Sequence, residues 1–275
     1  MLRWAQTLDR PLPWRGERDP YRVLVSEVML QQTQAGRIVR AYPVFLRRFP
    51  TVQKLAEAEA ADVLRAWGGL GYNRRALNLW RAARLVVERG RFPGSVAELE
   101  ALPGVGPYTA RAVASFAFGA DAAAVDANVH RVVIRLFGLA ADTDVQPLAD
   151  TLLPPANAAK WNQALMDLGA EICRSRSPRC DGCPLRPRCA WASGVGHEAL
   201  HAAPAAPFRS TMRYARGRVV ADLRRRRHWA TMRGLGSRTG LSAHRLRAAV
   251  RALEGDGIVS RRGERVSLGP RSMRP

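Results

Sequence analysis

Lysine, acidic residues and long apolar runs are all scarce in this chain of 275 residues. Lys54 and Lys160 are the only lysines, so arginine carries nearly all of the positive charge. There are 23 acidic residues against 44 basic ones, which gives a formal net charge of +21. A surface this positive repels itself unless a polyanion is its partner, and nucleic acid is the obvious polyanion. A merely basic, soluble protein is the alternative.

Signals for a membrane or for secretion are also missing. No apolar run approaches the roughly 18 residues that a membrane-spanning helix needs, and residues 1–4 (MLRW) lack the apolar segment of a signal peptide. All four cysteines lie between residues 173 and 189, whereas the disulfides of secreted proteins usually spread along the chain. We therefore expect a cytoplasmic protein that does not bind membranes and that carries a metal site.

The alternation typical of strands is absent before residue 210, so this part is predicted to be all helical. Helices are expected over about residues 19–45, 51–67, 73–89 and 127–136, and from residues 95 and 107 onward. Ser95 and Glu98 are predicted to form a capping box at the start of one of them. The segment 190–207 is rich in Ala, Pro and Gly and is predicted to be a linker.

Residues 208–275 have a different composition, with 18 arginines against four acidic residues and hence a net charge of +14. Their pattern predicts helices near 211–224, 230–239 and 242–254, followed by a hairpin that turns at Gly263. Three helices and a basic hairpin resemble a winged helix. A disordered basic tail is the alternative.

The cysteines form a C-x6-C-x2-C-x5-C pattern at Cys173, Cys180, Cys183 and Cys189. Four thiolates in one short loop suit a [4Fe–4S] cluster or a structural zinc ion. Zinc ribbons usually have two separated C-x2-C pairs, and this loop has one. Arginines surround the cysteines, so the loop is also suited to binding phosphate.

A glycine-containing turn at residues 102–106 (LPGVG) precedes a predicted helix. Gly104 and Gly106, after Leu102, allow a tight turn whose backbone N–H groups point at a DNA phosphate. About twenty residues later comes the segment 125–132 (VDANVHRV). Alone, Asp126 there would be read as a helix N-cap, and the turn as an ordinary helix connection.

The turn comes first along the chain, then the Asp126 segment, then residues 162–169 (NQALMDLG) and finally the cysteines. This order of motifs resembles that of the endonuclease III superfamily. Residues 12–15 (LPWR) and 26–34 (SEVMLQQTQ) resemble the MutY adenine glycosylases, and the likeness covers about residues 1–190. It implies a mainly α, two-lobed helix–hairpin–helix fold. Residues 21–126 would form a six-helix lobe, and residues 1–20 with 127–189 a lobe whose cysteines hold a [4Fe–4S] cluster.

The resemblance also implies a monofunctional base-excision repair glycosylase. Such an enzyme flips a mispaired adenine, opposite 8-oxoguanine or guanine, out of double-stranded DNA and hydrolyses its N-glycosidic bond. Glu27 lies in an apolar helix stretch that raises the pKa of a carboxyl, which suits a general acid. Asp126 would stabilise the positive sugar or capture it briefly as a covalent adduct, and Tyr108 and Asn128 would position Glu27 and the attacking water.

Further residues carry over as DNA contacts: Gln31, Gln32, Tyr72, Leu102, Gly104 and Gly106. Tyr72 would insert beside the lesion, with Gln32 bracing the gap. Tyr108 stands where bifunctional relatives carry a lysine that forms a Schiff base, so strand cleavage by that route is not expected. The partner is expected to be DNA with a mismatched or damaged base, bound by a monomer at the nucleoid of a bacterial cytoplasm.

One departure and three alternatives remain. Most MutY proteins end in a Nudix-related domain that recognises 8-oxoguanine, and residues 208–275 are too few for it, so this recognition is in doubt. A thymine or uracil mismatch glycosylase shares residues 125–128 and Tyr108, although residues 31–33 (QQT) argue against it. A bifunctional endonuclease III is disfavoured by Tyr108. An iron–sulfur DNA-binding regulator would explain the charge but not Glu27 and Asp126 together.

Overall fold

The computed structural model describes residues 1–8, 10–195 and 207–270. The α-helices in these ranges are α1 (Leu2–Ala5), α2 (Pro20–Leu30), α3 (Ala35–Arg48), α4 (Val52–Glu57), α5 (Ala60–Ala66), α6 (Arg74–Glu88), α7 (Val96–Glu100), α8 (Pro107–Phe118), α9 (Ala127–Phe137), α10 (Gln146–Thr151), α11 (Ala158–Glu171), α12 (Met212–Arg224), α13 (Met232–Thr239) and α14 (Ala243–Gly255). The strands are β1 (Ala230–Thr231), β2 (Val259–Arg262) and β3 (Arg265–Leu268). The mainly α fold is confirmed. Among the described helices, none is both long and apolar enough to cross a membrane.

The described residues form two compact units. The first contains the described residues of Met1–Val28 and Phe92–Ala202, and the second those of Met29–Arg91 and Ala203–Pro275. The basic C-terminal segment therefore belongs to the same unit as helices α3–α6. Of the predicted linker, residues 196–206 lie outside the described residues, and Trp191–Ser193 form a short 3-10 helix.

The core of the first unit lies between α9 and α11. Regular apolar spacing along both helices buries one face of each, as expected for amphipathic helices packed together. The buried residues of this cluster are Ala123, Val129, Val132, Val133, Ile134, Val145, Ala149, Trp161, Leu165 and Leu168. Cys173 and Cys183 pack against it, so the cysteine loop is built on this core.

Two arginines near the N-terminus attach the start of the chain to α11. Asp167 of α11 has a side chain that is 3% exposed, and it pairs with Arg10 at 2.6 Å and Arg15 at 2.8 Å. A carboxylate buried this deeply needs such partners. Arg15 is the last residue of the LPWR motif, which gives that motif a structural role in this chain.

The single helix predicted from residue 19 to about 45 was wrong, because the chain forms two helices there. The break between α2 and α3 contains Gln32 in the left-handed region, with φ of 51°. Arg75 donates from Nη1 to the carbonyl oxygens of Met29, at 2.8 Å, and of Gln31. Carbonyl groups at a helix end need hydrogen-bond partners. The partner at the end of α2 is Arg75, which lies more than forty residues further along the chain and is therefore not apparent from the local sequence.

The helix predicted over residues 51–67 is likewise two helices, α4 and α5. The carbonyl of Ala58 lies between them and accepts a hydrogen bond from Trp80 Nε1 at 2.9 Å. The capping box at Ser95 and Glu98 is confirmed, with the Ser95 side chain accepting from the Glu98 amide. Helices α6, α8 and α9 lie close to their predicted positions.

The C-terminal segment contains the three helices and the hairpin that the sequence predicted. Its strands form an antiparallel sheet of order β1-β3-β2, with Val259 opposite Leu268 and Arg262 opposite Arg265. Within the second unit, Arg224 of α12 donates to the Leu64 carbonyl at 2.9 Å and to Asn73 Oδ1 at 2.5 Å. The segment is thus packed on α5 and α6.

Candidate active site

Glu27 lies on α2 among buried apolar neighbours and is only 4% exposed. Burial raises the pKa of Glu27 to about 7, while a hydrogen bond from Tyr108 lowers it and the nearby charge of Asp126 raises it. An ordinary Glu loses its proton near about pH 4.3. This carboxyl therefore keeps its proton up to neutral pH, as a general acid requires.

Tyr108 follows Pro107 in the first turn of α8, and its Oη donates to Glu27 Oε2 at 2.9 Å. The pKa of Tyr108 is raised well above its usual value, first by burial and then by the charges of Glu27 and Asp126. The phenol therefore remains a neutral donor. It orients the Glu27 carboxyl.

Asp126 is the N-cap of α9. Its Oδ1 accepts hydrogen bonds from the backbone amides of Asn128 at 2.9 Å and Val129 at 2.7 Å. Its Oδ2 accepts from Asn128 Nδ2 at 2.9 Å. Three donors and the positive end of a helix stabilise a carboxylate at this position. An anion held in this way can stabilise positive charge that develops beside it.

Arg131 fixes the orientation of the Asn128 side chain. Arg131 Nη2 donates to Asn128 Oδ1 at 2.8 Å and to the Gly169 carbonyl at 2.8 Å. Its Nε donates to the carbonyl of Cys173 at 2.7 Å. Hydrogen bonds therefore run from Asp126 through Asn128 and Arg131 to the first residue of the cysteine loop, a connection that sequence reasoning missed.

Two residues of the NQALMDLG motif support the Asp126 segment. The fully buried Asn162 accepts from the Ala124 amide at 2.9 Å and donates to the Ala122 carbonyl at 2.9 Å, which fixes the chain just before Asp126. Gly169 lies so close to Asn128 that an added Cβ would be 2.5 Å from Asn128 Cβ. Only glycine allows this approach. In the sequence, an Asn and a Gly inside an apolar helix were the features that could have indicated this support of the Asp126 segment.

Tyr72 and Gln32, predicted DNA contacts, both have left-handed backbones, with φ of 44° and 51°. Residues other than glycine adopt this region at a cost, and such residues cluster at functional sites. Arg75 joins the two loops, because it contacts the Tyr72 ring at 5.5 Å, donates to Thr33 Oγ1 at 3.0 Å and binds the Gln31 carbonyl. The structure brings these predicted residues together within the second unit.

The predicted phosphate-binding turn connects α7 and α8. Gly104 has φ of 77°, a conformation that favours glycine, and Gly106 is the N-cap of α8. The side chain of Leu102 is buried, and its carbonyl accepts from the Val105 amide at 3.1 Å. Leu102 therefore anchors the turn in the core, while the exposed glycines form its outer surface.

All four cysteines line one cavity, together with Arg135 and Trp191. Arg135 is buried, stacks on the Trp191 ring at 4.6 Å and donates to the carbonyls of Arg174 and Ser175. Among the described residues, no group of three His, Cys, Asp or Glu side chains is placed to hold a single metal ion. One ion needs its thiolates to converge at about 2.3 Å, whereas a [4Fe–4S] cluster takes one thiolate at each of its irons.

Comparisons with known proteins agree with this geometry. The model of the HhH-GPD superfamily of base excision DNA repair proteins matches residues 25–155. An adenine DNA glycosylase of Mycobacterium tuberculosis (strain CDC 1551 / Oshkosh) is 43% identical over 236 residues, which cover 82% of this chain and 77% of that protein. This chain belongs to the adenine DNA glycosylase (MutY) family. The family member of Homo sapiens is 40% identical over 73% of this chain and 40% of its own length.

Solved structures support the same placement. A thermostable thymine-DNA glycosylase has a TM-score of 0.66 and 34% identity, over 70% of this chain and 93% of that one. A non-covalent endonuclease III–DNA complex has a TM-score of 0.62 and 25% identity, over 70% of this chain and 91% of that one. The helix–hairpin–helix glycosylase fold is therefore confirmed. Members of the MutY family, to which this chain belongs, typically carry a [4Fe–4S] cluster.

Proposed function

We propose that this member of the MutY family is a monofunctional DNA glycosylase that removes adenine mispaired with guanine or 8-oxoguanine. The observation that carries the proposal is the pairing of a buried Glu27, whose pKa is about 7, with Asp126 at a helix N-terminus. Two carboxyl groups in contrasting surroundings are the usual arrangement for an acid and an electrostatic stabiliser. The partner is double-stranded DNA with a mismatched or damaged base.

The proposed reaction begins with the adenine flipped out of the duplex. Glu27 gives its proton to N7 of adenine, so that the base leaves as a neutral species. Asp126 stabilises the positive charge that grows on the sugar, or captures it briefly as a covalent adduct. Water attacks the anomeric carbon and gives its proton to the Glu27 carboxylate, which restores the acid. Tyr108 and Asn128 hold the two carboxyl groups in place.

A monofunctional reaction follows from the shortage of amines. A lyase needs an amine close to the sugar, and Tyr108 occupies the position that supplies it in bifunctional relatives. Lys54 is exposed on α4 and pairs with Glu57 at 3.0 Å, and Lys160 is exposed on α11. Neither lies in the motifs that hold Glu27 and Asp126.

The cysteines are proposed to hold a [4Fe–4S] cluster, and their shared cavity supports this. When bound, the cluster supplies a rigid cross-link for a loop that has little core of its own. Exposed Arg176, Arg179, Arg186 and Arg188 would then be presented to phosphates. Iron analysis tests this assignment, since it predicts about four irons per chain. Stoichiometric zinc without iron, in protein prepared without oxygen, would overturn it.

The enzyme is proposed to act as a monomer at the nucleoid in a bacterial cytoplasm.

The activity of the enzyme is tested with labelled duplexes that contain A:8-oxoguanine, A:G, T:G, U:G or thymine glycol, each analysed with and without alkali. Adenine loss that becomes a strand break only after alkali is the expected result. Excision from T:G or U:G alone would identify a thymine or uracil glycosylase. Cleavage without alkali, with strong borohydride trapping, would identify a bifunctional enzyme, and binding without excision a regulator.

A further inference from the structure

An exposed aromatic and apolar surface lies where α12 begins. Phe208 is 59% exposed, Met212 41% and Tyr72 40%. Phe208 packs edge-to-face on Tyr214, with ring centroids 5.7 Å apart. Arg209 and Arg213, in the same stretch of the chain as Phe208 and Met212, are also exposed. Large apolar side chains grouped at a protein surface usually mark a binding site.

Arg213 connects this surface to Tyr72, since its guanidinium lies 5.1 Å from the centroid of the Tyr72 ring. Arg75 contacts the same ring but is fixed by hydrogen bonds to the carbonyls of Met29 and Gln31. Arg213 is exposed instead, so it can give up its place on the ring. Arg224, at the other end of α12, binds Asn73, the residue after Tyr72. Helix α12 therefore contacts two consecutive residues of this loop.

The chemistry of this surface fits an unpaired nucleobase. Every base has a π-face that stacks on aromatic rings or on guanidinium planes, and in an intact duplex that face is covered by neighbouring bases. The surrounding charge suits a DNA backbone, because residues 208–275 carry a net charge of +14.

We propose that Tyr72, Arg213 and Phe208 form a stacking surface for a base that has lost its partner in the duplex. The C-terminal segment would then recognise distorted DNA, in addition to supplying positive charge. This inference rests on the proposed function, since excision is what creates such a base. In this arrangement Arg213 covers the Tyr72 ring in the free protein, and when DNA binds the base enters between them and stacks on both the ring and the guanidinium plane.

The test compares the affinities of two uncleavable duplexes of equal length. One contains a tetrahydrofuran abasic analogue opposite guanine, which leaves that guanine unpaired, and the other is fully paired. Arg213→Ala and Phe208→Ala should each reduce the preference for the unpaired duplex about fivefold or more, which is the size of one base–aromatic stack. Arg213→Lys keeps the charge but removes the planar stack, so it should bind the paired duplex normally and still lose the preference.

Arg225→Ala is the matched control, because Arg225 is an exposed arginine at the opposite end of α12. It should leave the preference unchanged. Equal losses of affinity on both duplexes for Arg213→Ala, or an equal effect of Arg225→Ala on the preference, would show that the surface acts only through charge and would overturn the proposal. Neither duplex contains a cleavable adenine, so this result is independent of the excision assay that tests the proposed function.

Discussion

Glu27 and Asp126 are two carboxyl groups in different surroundings. Glu27 is desolvated and accepts one hydrogen bond from a phenol, whereas Asp126 accepts three hydrogen bonds at the start of a helix. The first arrangement favours the protonated form of Glu27, whereas the second fixes the orientation of the Asp126 carboxyl group. In the proposed mechanism, the roles of acid and stabiliser therefore follow from the environment of each carboxyl rather than from residue type.

The pH dependence of excision tests the role of Glu27. Because its folded pKa is raised to about 7, the acid is protonated below that pH and is lost as the pH rises through it. The single-turnover rate of adenine release should therefore be highest below about pH 7 and fall about tenfold per unit well above it. A rate that stays level from pH 6 to about 9, with the fold intact by circular dichroism, would exclude Glu27 as the acid.

Tyr108→Phe supplies the control for that profile. The hydrogen bond from Tyr108 lowers the pKa of Glu27, so its removal should raise that pKa. The descending limb should then move to higher pH, even if the maximal rate falls. A purely structural role for Tyr108 would lower the rate without moving the limb.

The motifs predicted candidate site residues that the structure brings together, but not what holds them there. Glu27, Tyr108 and Asp126 were found because each lies in a short, recognisable segment. Arg75 and Arg131 were missed, because their partners lie 44 and 42 positions away in the chain. Hydrogen bonds at such separations depend on the tertiary fold, which a single sequence does not display.

At the scale of helices, α9 and α11 position Asp126 and Asn128, and they approach each other closely there. Gly169 of α11 lies against Asn128 at the start of α9, with no room for a side chain. The same pair of helices supports the cysteine loop through Arg131 and Arg135. The Asp126 segment and the cysteine loop are therefore supported by the same pair of helices.

Gly169→Ala tests whether the close approach of α11 to Asn128 matters for stability and excision. The new Cβ would be 2.5 Å from Asn128 Cβ and 3.1 Å from its backbone, so Asn128 must shift. We expect a loss of about 1–3 kcal/mol in the free energy of unfolding. Excision should fall at least about tenfold, because misplacement by about 1 Å can cost a hundredfold. Thermal denaturation and single-turnover assays measure the two effects.

Gly217→Ala is the matched control for this substitution. It is the same change in a helix, at a position where an added Cβ meets nothing within 4 Å. It should leave excision unchanged and leave stability equal or slightly higher. If both variants behave alike, the close approach of Gly169 has no bearing on catalysis.

The two helix breaks also belong to this scale. Residues 31–34 (QQTQ) and 58–59 (AE) contain neither glycine nor proline, so no local breaker signal separated the flanking helices. In the folded chain, Arg75 and Trp80 provide the partners that end α2 and α4. Boundaries set by such distant donors lie beyond what local propensity predicts, whereas the local capping box at Ser95 was predicted correctly.

For the whole molecule, the C-terminal segment is better tested by substitution than by deletion. Arg224 is largely buried against Leu64 and Asn73, so removal of residues 208–275 would expose the surface of α5 and α6 that it covers. Arg247 and Arg251, by contrast, are exposed four residues apart on α14 and lie on one face of it.

Arg247→Gln with Arg251→Gln should weaken DNA binding and make its salt dependence shallower, by up to about 0.9 in the logarithmic slope for each phosphate that is no longer neutralised. Excision at saturating enzyme should not change. Affinity measured against salt concentration checks this. An unchanged slope would mean that this face of α14 does not lie along DNA, whatever the charge of the segment.

The role of Asp126 is tested most directly by single-turnover adenine excision by Asp126→Asn from an A:G duplex, with binding measured on the same DNA. Asn is nearly isosteric with Asp, and the charge it lacks acts only when the sugar becomes positive in the transition state. We predict binding close to wild type and a rate that falls at least about a hundredfold. Equal rates for the variant and the wild-type enzyme would contradict the proposed mechanism.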